Sequence, residues 1–278
     1  RETLSNGLTV EVVPRPGFSR KLAYFVTDYG SIHRFFELDG KSYEVPAGIA
    51  HYLEHKMFDL PGRDVSAELA ELGANVNAFT SYDMTAYYFS CTDNFEAALK
   101  LLLEFVSTPY FTEESVEKEQ GIIGQEIEMN VDSPDTAVFE RLMDCMYENH
   151  PIHTPILGTR ETIAGITPQA LYDCHRAFYA PENMLLCVVS DESPEQVIAM
   201  AERLTKDLPC PQVQILPSAE EPDGVKTAQV CNRMEVARPM FQLGFKCDPL
   251  GDGEEGVYWE YVGDLAAEAL FGESSPLY

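Results

Sequence analysis

The chain has 278 residues, of which 45% are hydrophobic and 23% charged, enough for a sizeable core and for about two domains or one large one. Nineteen basic and 46 acidic side chains leave a formal charge of −27, which argues against nucleic acid as a partner and suits a basic one. No apolar run approaches the ~20 residues of a membrane span, and no basic segment followed by an apolar one opens the chain, so neither a membrane anchor nor a secretory signal is expected.

Strands are expected over residues 8–13, after the Asn6-Gly7 turn signal, and over 22–29, ended by Gly30. Pro46-Ala47-Gly48 opens a helix over 49–58, and a second helix over 64–72 ends at Gly73. Residues 75–80 and 84–91 pattern as strands joined by Ser81-Tyr82-Asp83. Helices follow over 94–106, 112–129, 134–147 and 167–178, then a buried strand over 183–189 and a helix over 194–204. Pro209, Pro211, Pro217 and Pro222 punctuate residues 209–224, which read as a linker. Beyond it, residues 228–231 and 241–245 are strand-like and 256–270 helical. The expected organisation is a domain over 1–208 and, over 225–278, the start of a second, truncated domain, because so few residues are short for an independent fold. Cys91, Cys145, Cys174, Cys187, Cys210, Cys231 and Cys247 are scattered with no Cys-x-x-Cys pair, which points to a reducing, cytoplasmic setting rather than a disulfide framework or a thiolate zinc site.

The sharpest motif is His51-Tyr52-Leu53-Glu54-His55. At ~100° per residue, His51 and His55 lie one turn apart on one helix face with Glu54 beside them. Two such imidazoles can chelate a zinc ion, and the carboxylate can deprotonate water held there. This is the inverzincin order. Chance yields it about once in 70 chains of this composition, so it needs support elsewhere. A third ligand is required, and the remaining histidines (His33, His150, His153, His175) pattern as surface or loop residues. On the helix over 112–129, Val116, Ile122, Ile123, Ile127 and Met129 are expected to form one apolar arc with Glu119 and Glu126 in its middle. Carboxylates there need a cation, either a lysine or arginine elsewhere in the chain or the metal; in the second case one of them is expected on the ion and the other behind a ligand. Periodicity leaves open which is which.

Gly48-Ile49-Ala50-His51-Tyr52-Leu53-Glu54-His55-Lys56-Met57-Phe58 closely resembles the zinc helix of the insulinase/pitrilysin metallopeptidases, which include bacterial members similar to the mitochondrial processing peptidases. The resemblance continues through Asn77-Ala78-Phe79-Thr80-Ser81 and Thr85-Ala86-Tyr87-Tyr88. It extends to Glu119-Gln120-Gly121-Ile122-Ile123-Gly124-Gln125-Glu126-Ile127 and to Tyr179-Ala180-Pro181-Glu182-Asn183-Met184, spanning nearly all of residues 1–208. It implies an α+β fold, a two-layer sandwich of a mixed, largely antiparallel sheet with helices packed on one face, here as the catalytic half plus part of a second half. It also implies one Zn2+ per catalytic domain on His51, His55 and Glu126, Glu54 as general base, Glu119 as supporting catalytic carboxylate, and substrate lying along Asn77, Ala78 and Phe79. The family's second half contributes further substrate contacts downstream of a segment like Ser274-Ser275-Pro276-Leu277-Tyr278, and Tyr278 does not match them. The expected function is zinc-dependent hydrolysis of extended peptides or small unfolded proteins, basic ones favoured by the charge, in a homo- or heterodimer. The alternative is a non-catalytic scaffold or partner subunit of a peptidase-like complex.

Overall fold

The computed structural model describes residues 1–251 and 253–277, which leaves Tyr278 outside the described residues. The chain forms two compact units, Arg1–Gln242 and Leu243–Tyr278. In the first, β1 (Glu2–Thr3), β2 (Thr9–Pro14) and β3 (Lys21–Thr27) precede a hairpin of β4 (Phe35–Leu38) and β5 (Lys41–Glu44). Helix α1 (Ile49–Lys56), the short pair β6 (Asp59–Leu60) and β7 (Arg63–Asp64), and α2 (Val65–Glu71) lead into β8 (Asn75–Thr80) and β9 (Thr85–Cys91). Then come α3 (Phe95–Ser107), α4 (Glu113–Val131), α5 (Pro134–Met146), α6 (Arg160–Ile163), α7 (Pro168–Phe178), β10 (Met184–Ser190), α8 (Pro194–Thr205) and β11 (Val213–Ile215). The second unit carries α9 (Gly253–Phe271). No helix among the described residues is long and apolar enough to cross a membrane.

The main sheet has the order β1-β2-β10-β3-β9-β8. Only the β2–β10 pairing is parallel; the other neighbours run antiparallel. Alternation decides its faces. Val10, Ala23, Phe25, Tyr87, Phe89, Leu186 and Val188 are fully buried on one side, while Tyr24, Tyr88 and Cys187 are half-buried on the other. Helix α3 packs on β3 and β9, α8 on β2, and α1 and α2 on β8. This is the two-layer α+β sandwich implied by the sequence, and β8 is one of the two edge strands of its main sheet, β1 being the other.

Three local expectations need correction. The β4–β5 hairpin was not expected, although its turn is Asp39-Gly40 with φ of 50° and 79°, the positive pair a two-residue primed turn requires. Within the segment read as a linker, Val213–Ile215 pairs with β4 as β11, and the first compact unit runs on to Gln242. Residues 228–231 and 241–245 form no strand; a short alternating run gains regular structure only when a partner strand takes its backbone groups. All seven cysteines are free thiols.

Candidate metal centre

Helix α1 starts at Gly48, whose φ of +91° needs glycine; a Cβ there would stand 2.4 Å from the Leu157 carbonyl oxygen. Its apolar residues Ile49, Ala50, Tyr52 and Leu53 are buried, and His51 and Glu54 are buried with them at 7% and 8% exposure. Helix α4 is set by a capping box in which the Thr112 hydroxyl accepts from Ser115 N–H and the Ser115 hydroxyl from Thr112 N–H. Its buried stripe is Val116, Ile123, Gly124 and Ile127. Ile122 and Met129, expected in that arc, are 46% and 73% exposed. At ~100° per residue they lie roughly 120–140° from the stripe, whereas Glu119 and Glu126 lie roughly 60–80° from it, on its flank rather than in its middle.

That flank faces α1. His51 Nε2 is 3.7 Å from Glu126 Oε1, and His55 Nε2 is 3.6 Å from Glu126 Oε2. One ligand atom from each of the three residues lies within 4.8 Å of the others. These separations exceed a hydrogen bond. Two donors sharing one zinc at ~2.0–2.1 Å in tetrahedral geometry stand roughly 3.3–3.4 Å apart, close to the spacing seen. Two imidazoles and one carboxylate are also an ordinary catalytic zinc set, so the residues fit the ion. Glu119 sits differently, with Oε1 2.9 Å from His55 Nδ1, where it orients the ring. The alternative that periodicity left open thus separates in space: Glu126 converges with the imidazoles and Glu119 stands behind one of them.

The electrostatics follow from these contacts. His51 is pushed down to about 3, first by burial and then by His55, and its Nδ1 has no hydrogen-bond partner among the described residues, so the neutral ligand form is favoured. Burial lowers His55 too, but the Glu119 hydrogen bond and charge, with Glu54 and Glu126, outweigh it and leave the group raised. Burial raises Glu119, yet the His55 hydrogen bond and charge win, holding it below the usual carboxylate range. Glu54 is raised by burial, against the pull of a 2.6 Å hydrogen bond from the Thr80 hydroxyl to its Oε2.

Thr80 is a site residue that motif reading passed over. The signal was available, because β8 alternates and Val76, Ala78 and Thr80 face inward, so a hydroxyl at its inward end has a polar partner to find. Asn77 and Phe79 face outward on the free edge, and Asn77 Oδ1 accepts from the Ala78 N–H at 2.9 Å. His175, expected on the surface, is buried, with Nε2 3.0 Å from the Val106 carbonyl and its ring stacked on Tyr179.

Residues 39–160, which hold His51, Glu54, His55, Thr80, Glu119 and Glu126, match the family model described as Insulinase (Peptidase family M16), and residues 165–278 match the Peptidase M16 inactive domain. An uncharacterized zinc protease of Bacillus subtilis (strain 168), YmfH, is 42% identical over 283 aligned residues covering this whole chain. The chain belongs to the insulinase family. An M16-like peptidase from Alicyclobacillus acidocaldarius superposes with a TM-score of 0.90 over 99% of this insulinase-family chain at 36% identity, and a protease from Helicobacter pylori with 0.70 over 80% at 26%. An uncharacterized zinc protease of Rickettsia felis is 29% identical over 74% of the chain. The chain spans 66% of the Bacillus relative and of the Alicyclobacillus protein, and about half of the Rickettsia and Helicobacter ones (49% and 54%).

Proposed function

We propose that this insulinase-family chain is the catalytic part of a zinc metallopeptidase that hydrolyses extended peptides or small unfolded proteins. The observation that carries the reading is the convergence of His51, His55 and Glu126 from two helices onto one point, with Glu54 buried beside them. When bound, zinc would supply a Lewis acid that acidifies water and polarises a carbonyl. His51 and His55 would hold the ion through Nε2 and Glu126 through its carboxylate, with Glu119 fixing the His55 ring. Thr80 occupies Oε2 of Glu54, so Oε1 is the atom that would take a proton from the attacking water and pass it to the leaving amine. The end of β8 brings Thr80 to Glu54, so a peptide added to this edge along Asn77, Ala78 and Phe79 would run past the base, its backbone hydrogen bonds giving affinity with loose sequence demands. The charge of −27 favours basic peptides.

A second reading, a non-catalytic partner subunit, draws on the match of residues 165–278 to a domain described as inactive. That match lies outside the metal-centre residues, which all retain the donor types the chemistry needs. Glu54→Gln is the test. The variant should keep its zinc and lose cleavage of a quenched peptide by at least about 100-fold. Wild-type activity in the variant would remove Glu54 from the chemistry, and a zinc-loaded wild type spanning the full length of its relatives that cleaves no peptide would favour the partner-subunit reading.

A further inference from the structure

On α1, Tyr52 and Lys56 stand one turn apart, about 100° round the helix from His51 and His55. Both are sealed, at 0% and 1% exposure. The Tyr52 hydroxyl donates to the Val116 carbonyl, and Lys56 Nζ donates to the Ser115 carbonyl at 3.4 Å while pairing with Asp59. Ser115 and Val116 lie in the first turn of α4, a turn before Glu119, and Glu126 follows two turns later.

We propose that Tyr52 and Lys56 are positioning residues, a two-point clamp that sets the register of α4 against α1 and so brings Glu126 to the imidazole pair. This inference rests on the metallopeptidase reading above. The apolar contacts between the helices are non-directional and tolerate a slide along the groove, whereas two donors aimed at successive carbonyls fix one register. Lys56 makes the point most sharply. A buried ammonium is a poor way to gain stability, because an apolar side chain of similar length would fill the same space without the desolvation penalty. The carbonyl of Ser115 sits in a helix and would keep its own i+4 bond without the lysine, and the Asp59 side chain, 47% exposed, would be solvated. The charge therefore serves placement rather than stability.

Tyr52→Phe and Lys56→Met test this in the purified protein. The readouts are the zinc dissociation constant, by competition with a chromogenic chelator, and the melting temperature of the metal-free forms. The clamp predicts about tenfold weaker zinc binding in each variant, the low end of what losing a residue that orients a ligand costs. It also predicts a melting temperature for metal-free Lys56→Met that is unchanged or higher. Wild-type zinc affinity within twofold in both variants would overturn the clamp while leaving the metal site standing. Should Lys56→Met fail to fold, Tyr52→Phe, which removes a single oxygen, decides by the same criterion. A wild-type chain that binds no zinc would overturn the metal reading and the clamp with it.

Discussion

Thr80→Val isolates the hydrogen bond to the proposed base. The Thr80 hydroxyl donates its one proton to Glu54 Oε2 at 2.6 Å, and the Thr85 hydroxyl 3.4 Å away has its own proton on the Tyr29 carbonyl at 2.8 Å. That arrangement points the Thr80 proton at the carboxylate. Valine fills the same volume without a donor. A hydrogen bond to a charged group contributes about 1.5–3 kcal/mol, part of which survives when the acceptor is protonated, so the net bias toward the ionised form is about 1.4 kcal/mol. That is about one pH unit. Burial already raises Glu54, and removing the opposing bond raises it further. A general base must be ionised, so the acid limb of kcat/KM should move upward by about one pH unit. Well above the limb the variant should approach the wild-type rate. The assay is a pH profile of quenched-peptide cleavage by the zinc-loaded protein. An unmoved limb, or a loss uniform across pH, would refute the assignment of Thr80 to Glu54.

Two further outcomes follow from the same site. In the metal-free protein the unfolded chain takes up a proton on His51 near 6.5, while the folded chain resists until about 3, so stability falls as pH drops through that window. Urea titrations should show His51→Gln losing about 2–3 kcal/mol less than wild type between pH 6.5 and 4.5, and equal losses would count against the buried neutral imidazole. His55, raised in the fold, has the opposite slope, its contribution being complete below its unfolded value and lost as pH rises through the folded one. Gly48→Ala forces a Cβ toward the Leu157 carbonyl at a positive φ and should cost at least about 2 kcal/mol, read as a melting temperature lower by about 4–8 °C. An unchanged melt would show that the start of α1 tolerates a side chain.

The parts of the molecule that were legible are those where one local signal sufficed. The Pro46-Ala47-Gly48 break before 49–58 and the helical period over 112–129 placed α1 and α4 near their observed ends, because such signals are properties of a few neighbouring residues. Periodicity alone sets too wide an arc on α4: Ile122 and Met129 are apolar yet turn to solvent, since only residues close to Val116, Ile123 and Ile127 in angle meet the core. Strands depend on distant partners. Val213–Ile215 is ordered by β4 some 175 residues earlier, whereas residues 228–231 have a similar texture and form no strand. Thr80 and His175 became intelligible only through what they touch, a carboxylate on α1 and a carbonyl at the end of α3. The distinct stations of Glu119 and Glu126 depend on how α4 lies across α1, which no count along a single helix supplies.

One cation shared by residues of two helices is what the proposed metal centre requires. Zinc per chain, measured by elemental analysis after dialysis against a weak chelator, should be one for wild type, near zero for Glu126→Ala, and reduced only as affinity falls by about 10–100-fold for Glu119→Ala. Full zinc retained by Glu126→Ala would contradict it.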